Sequence, residues 1–174
     1  MCGIIGYVGR QEAAPILLEG LERMEYRGYD STGMAVCGDG VLRVCKKKGR
    51  VQVLREMSHD GADLPGTLGI GHTRWATHGE PSDVNAHPHL SQSGKFAVVH
   101  NGIIENFIAL KEELLQKGYT FRSETDTEVV AQLLDYYYSD CGDFFEAMNR
   151  LLHAVDGAYA LGIICADYPD PVSY

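Results

Sequence analysis

The 174-residue sequence has no apolar run approaching the roughly 20 residues of a bilayer span, and no signal segment precedes Cys2. A cytoplasmic protein with no membrane partner is expected. Basic charge is scarce, with 15 Lys and Arg against 24 Asp and Glu and a net charge of −9. A surface for nucleic acid or anionic lipid needs a basic face, so no nucleic-acid partner is expected. The basic run Lys46-Lys47-Lys48 reads as solvated lysines at a strand end. Cys-x-x-Cys spacing is absent and the cysteine count of five is odd, which fits reduced and mostly buried thiols rather than a disulfide framework. Repeats, low-complexity tracts and linkers are also missing, so the length makes one domain of ordinary size.

Hydrophobic periodicity orders what is present. Gly3 to Val8 reads as a short buried strand. Glu12 to Tyr26 reads as a helix, with Ala14, Leu17, Leu18, Leu21 and Met24 on one face and Pro15 tolerated in the first turn. Thr32 to Cys37 and Val41 to Lys46 predict a hairpin around Gly38-Asp39-Gly40. A short helix over Val51 to Met57 and a strand over Gly69 to Arg74 follow. Trp75 to Leu90 is polar and aperiodic, a long loop of the kind that carries function. Lys95 to His100 predicts a strand ending at Asn101-Gly102, and Asn106 to Lys117 a helix. Thr125-Asp126-Thr127-Glu128 has capping-box spacing ahead of another helix, Asp143 to Val155 a further one, and Ala158 to Ala166 a last strand. The pattern indicates α+β layers, helices packed on largely antiparallel sheet.

Candidate chemistry starts at Cys2. If Met1 is removed, Cys2 carries a nucleophilic thiol and a free α-amine that can serve as its base. Taken alone, Cys2 reads more simply as a small residue opening a buried strand. A thiolate attacking an acyl group needs oxyanion donors. Asn101-Gly102 offers a side-chain amide and an unhindered backbone N–H, although Asn-Gly also reads as a plain hairpin turn. Arg74 presents a guanidinium fork suited to a carboxylate. Asp126 can accept an ammonium group, or simply complement the helix dipole. A carboxylate clamp and an ammonium acceptor together specify an α-amino acid. Glutamine is then the obvious acyl donor for the cysteine. His87-Pro88-His89, with His72, His78 and His100, lacks metal-ligand spacing, and these residues read as hydrogen-bonding groups of the loop. No metal and no cofactor is expected.

The motifs Met1-Cys2-Gly3-Ile4-Ile5-Gly6, Leu21 to Ser31, Gly71 to Glu80, Val84 to His89, His100 to Asn106 and Ser123 to Val129 resemble those of class II glutamine amidotransferases. These are N-terminal nucleophile hydrolases. The segments HTRWATHGEP and SETDTE resemble the sugar-phosphate branch of that family. The resemblance implies a four-layer αββα sandwich. It makes Cys2 the nucleophile, with its own amine as base through a water, and Asn101 and Gly102 the oxyanion hole. It has Arg27 position the terminal residue. Arg74 and Asp126 hold glutamine, with Thr77 and His78 nearby and Trp75 in a lid. Two departures accompany it. The chain stops soon after the strand Ala158 to Ala166, where the family's domain continues, so the sheet is expected to lack C-terminal strands. The unpaired edge would invite a homodimer, strand exchange or aggregation. The isomerase domain that binds fructose 6-phosphate is absent from these residues. A glutaminase half-reaction is the leading expectation. A catalytically silent fragment that binds glutamine or a partner subunit, or another class II amidotransferase, is the alternative.

Overall fold

In the computed structural model, which describes residues 2–76 and 79–169, the chain folds into four layers. The elements are β1 (Gly3–Val8), α1 (Ala13–Met24), a 3₁₀ turn (Glu25–Arg27), β2 (Ser31–Gly38), β3 (Val41–Lys48), α2 (Val51–Met57) and β4 (Leu68–Arg74). They continue with β5 (His89–Leu90), β6 (Phe96–Ile104), α3 (Phe107–Gln116), α4 (Thr127–Cys141), α5 (Phe144–Ala154) and β7 (Gly157–Cys165). One antiparallel sheet has the order β1-β4-β2-β3, the other β5-β6-β7. Helices α1 and α2 cover the first sheet, and α4, flanked by α3 and α5, covers the second.

Strand alternation builds the two cores on either side of each sheet. Along β2, Met34 and Val36 point into the helix-side core, while Ala35 and Cys37 point between the sheets. Along β6, Phe96 and Val98 pack under α4 and α5, while Ala97 and Val99 meet Ile70 and Ile164 between the sheets. Phe96 is fully buried, and a side chain of that size contributes about 1.5–3 kcal/mol by leaving water.

Local signals account for most boundaries. The β2–β3 hairpin turns at Asp39 and Gly40, whose φ values of 54° and 69° are those of the turn that Asp-Gly favours. Asp143 caps α5 by accepting from the Glu146 N–H at 2.7 Å. The Glu25 carboxylate, from another segment, accepts the Val51 N–H at the start of α2 at 3.0 Å.

Four expectations need correction. Asn101-Gly102 is not a turn: β6 runs through it to Ile104, with Asn101 paired to Ala160 and Gly102 to Tyr159 of β7. The capping box does not close, because the Glu128 carboxylate accepts from the Arg122 and Ser123 N–H groups and Asp126 occupies the cap position. The lysine run is not merely solvated. Lys46 Nζ donates to the Val84 and Ala86 carbonyls at 3.1 and 2.7 Å, and burial pushes its pKa down to about 8. Lys47 pairs with Asp83 at 2.6 Å, so β3 anchors the long loop. Finally, the loop does not run unbroken to Leu90, because His89 opens the short strand β5; His87 and His89 are buried and hydrogen-bonded to Thr127 and Thr125.

Candidate active site

Two strand ends and one helix start converge at one end of the sandwich. Gly3 pairs with Thr73 at the end of the β1–β4 ladder, which leaves Cys2 and Arg74 just beyond it on neighbouring strands. Gly28, after the 3₁₀ turn, packs against the Arg74–Trp75 backbone so closely that a Cβ there would lie 2.8 Å from the Arg74 carbonyl carbon. β6 brings Asn101 and Gly102 from the second sheet, and the start of α4 brings Asp126.

These residues surround one cavity of about 570 Å³. Cys2, Arg27, Arg74, Trp75, Asn101, Gly102 and Asp126 all line it, together with His87, His100, Ile103, Thr125 and Thr127. The two other residues expected at the site, Thr77 and His78, lie outside the described residues.

Each side chain is held by specific partners. The Cys2 Sγ accepts the Trp75 N–H at 3.2 Å and lies 3.5 Å from the Trp75 carbonyl. Asn101 Nδ2 donates to the Cys2 carbonyl at 3.2 Å, which joins the second sheet to the chain start. Arg74 is buried, and its Nη2 donates to the Gly79 carbonyl at 3.1 Å, fixing the guanidinium against the loop. One oxygen of Asp126 accepts the Ile104 N–H at 2.9 Å, and the other lies 3.7 Å from His100 Nδ1. Arg27 sits at the rim, with Nε donating to the Tyr26 hydroxyl at 3.1 Å. Trp75 is half exposed and meets Tyr29 edge to face at 5.6 Å, placing a large aromatic surface at the mouth. Gly102 adopts φ 129°, where a Cβ would lie 2.2 Å from the Ala158 carbonyl oxygen, so β6 admits only glycine there.

Sequence reasoning missed several supports. Asp30 accepts the Ala76 N–H in a short bond, and its own N–H donates to the Arg74 carbonyl at 3.2 Å, so it shapes the strand exit that carries Arg74. Behind the cavity lies a histidine cluster. His72 stacks on His87 at 4.3 Å, and His87 meets His89 edge to face at 4.8 Å. His87 Nε2 and His100 Nδ1 both reach Thr127 Oγ1, at 2.8 and 2.9 Å, and His89 Nε2 reaches Thr125 Oγ1 at 2.9 Å. Burial pushes His72 down to about 4, and it holds His87 and His89 well below the usual histidine range. These three rings are neutral near pH 7. The sequence gathers these histidines by type, but their spacing does not show that they meet, because they come from β4, the loop, β5 and β6.

Two face-to-face antiparallel sheets between helix layers, with a cysteine, a guanidinium and a carboxylate around one cavity, define the N-terminal nucleophile class of amidohydrolase folds. The family described as "Glutamine amidotransferase domain" matches residues 35–165, and the chain belongs to it. The glutamine–fructose-6-phosphate aminotransferase (isomerizing) of Caldanaerobacter subterraneus subsp. tengcongensis is 60% identical over 172 residues, covering 99% of this chain and 28% of that protein. The enzyme of the same name from Aquifex aeolicus is 55% identical over 170 residues, covering 98% and 28%. The chain thus spans little more than a quarter of the length of these curated relatives. Among solved structures, the glutamine phosphoribosylpyrophosphate amidotransferase from B. subtilis, complexed with ADP and GMP, superposes with a TM-score of 0.80 at 29% identity. That match covers 95% of this chain and 35% of the other. No helix among the described residues is long and apolar enough to cross a membrane.

Proposed function

We propose that this chain hydrolyses the side-chain amide of glutamine to glutamate and ammonia through a thioester on Cys2. The observation that supports this most is the gathering of a thiol, a guanidinium, a carboxylate and an Asn-Gly pair around one cavity from four distant segments. Arg74 receives the α-carboxylate and Asp126, through its oxygen not bound to Ile104, the α-ammonium. The carboxamide is then left beside Cys2.

With Met1 removed, the α-amine of Cys2 takes the thiol proton through a water and the sulfur attacks the carboxamide carbon. The negative charge passes to the carboxamide oxygen, where Asn101 Nδ2 and the Gly102 N–H donate to it. The intermediate collapses with cleavage of the C–N bond, and the departing nitrogen takes the proton and leaves as ammonia. Water, losing a proton to the same amine, attacks the thioester, the C–S bond breaks, and glutamate and the free thiol are released. Trp75 closes the mouth during this sequence, and Thr77 and His78 belong to the same binding motif.

On this reading residues 1–174 are a glutaminase domain. Its ammonia serves fructose 6-phosphate held by an isomerase domain, in the manner named by the relatives. The test is glutamate release from glutamine by the purified chain, with its intact mass measured in parallel. Release with Met1 absent is the expected result. A chain lacking Met1 that binds glutamine without releasing glutamate would be the silent binding fragment instead.

A further inference from the structure

The two ends of an Asn side chain have nearly the same shape, yet only the nitrogen end can stabilise an oxyanion. His72 decides which end faces Cys2. Its Nε2 lies 3.0 Å from the His100 carbonyl oxygen, an atom that can only accept, so Nε2 carries the proton. The same Nε2 lies 2.8 Å from the Asn101 carboxamide, where the partner must again be an acceptor, namely Oδ1. Nδ2 is then turned toward Cys2, whose carbonyl it meets at 3.2 Å.

The ring that makes this choice is itself held in place. His72 is buried, stacks on His87 at 4.3 Å with 25° between the planes, and His87 is tied to Thr127 Oγ1 at 2.8 Å. Among the described residues His72 Nδ1 has no hydrogen-bond partner, so no competing bond draws the proton to the other nitrogen.

We propose that His72 is a positioning residue: its Nε2–H bond to Asn101 Oδ1 fixes the Asn101 amide with its N–H₂ toward the reacting carbon before substrate arrives. This rests on Asn101 being the oxyanion donor, as proposed above. The role explains why a residue with no place on the cavity lining sits in a bifurcated bond to both His100 and Asn101.

The test is a mutant cycle in the full chain, read as glutamate release. His72→Leu removes the donor and is expected to lower kcat about 10- to 100-fold with KM within about twofold. That is less than the roughly 10²- to 10³-fold expected for deleting an oxyanion donor outright. His72→Gln, which retains an N–H₂ donor, is expected to recover most of the loss. In an Asn101→Ala background His72→Leu is expected to cost less than about twofold more. An undiminished loss in that background, or a KM that rises in step with the fall in kcat, would overturn the positioning role. If Asn101→Ala itself leaves kcat unchanged, the oxyanion reading fails first, which is a separate outcome. Nitrogen NMR of the imidazoles needs no variant to fold: His72 should be the Nε2–H tautomer at pH 7, and an Nδ1–H tautomer would refute the assignment.

Discussion

Gly3 and Thr73 face each other at the end of the β1–β4 ladder, and that pairing sets Cys2 beside Arg74. The thiol and the guanidinium are thus spaced by sheet register, and the bonds of Cys2 to the Trp75 backbone and of Arg74 to the Gly79 carbonyl hold them there. A slip of one residue would turn the neighbouring side chains to the opposite face and separate the two groups.

Replacing Cys2 by Ala should take glutamate release to background while leaving glutamine affinity within about threefold. The thiol's described bonds are to the Trp75 backbone, which the substitution leaves in place. Calorimetric titration beside an ammonia assay checks both halves. Ammonia release at the original rate would remove Cys2 from the chemistry.

Arg74→Lys keeps the charge but loses the planar fork, so KM for glutamine should rise about 10- to 100-fold with kcat within about threefold. The bond from Nη2 to the Gly79 carbonyl is one that a lysine ammonium can also make, so the fold should survive. Steady-state kinetics decide the matter, and an unmoved KM would argue against the clamp.

Asp126→Asn separates two duties of one side chain. An Asn carbonyl oxygen can still accept the Ile104 N–H, so the melting temperature should shift by no more than about 3 °C. The ammonium loses its anionic partner, and KM should rise at least about tenfold. A large fall in melting temperature with unchanged KM would mean that Asp126 serves only the fold.

Stability should fall as the pH drops below about 6.5. His72, His87 and His89 have native pKa values depressed below the usual 6.5, so between those values and 6.5 the unfolded chain binds protons that the native state refuses. Their stabilising contribution is complete above pH 6.5 and is lost as the pH falls through the depressed native values, at about 1.4 kcal/mol per pH unit for each ring once the unfolded form is protonated. Urea unfolding at pH 7.5, 6.5 and 5.5 measures it. A flat profile would contradict the burial of the rings as neutral species.

Elements with their own periodicity were legible from the sequence. The ends of β1 and α2 match the expectation, and α5 and the hairpin at Asp39-Gly40 lie within a residue or two of it. What escaped was anything decided by a partner far along the chain. β6 continues through Asn101-Gly102 because β7 pairs with it, and local turn chemistry cannot register that ladder. Lys46 is half-buried because two carbonyls of the long loop close over it. At the site, the chemically expressive residues Cys2, Arg74, Asn101 and Asp126 were legible as types. His72, which touches Asn101 from a neighbouring sheet, was legible only as one histidine among several.

The ladder between β6 and β7 bears on the order in which the site comes together. Asn101 is paired with Ala160, and β1 with β4, so β1 has no ladder partner until Leu68–Arg74 emerges. Asn101 waits longer still, for Gly157–Cys165. At about 5–20 residues per second the Cys2 thiol spends seconds as an exposed group on an unfinished chain. Throughout that interval Cys2 lacks the Asn101 side chain that meets its carbonyl in the finished site, so on the proposed reading glutamate release should begin only when the second sheet closes.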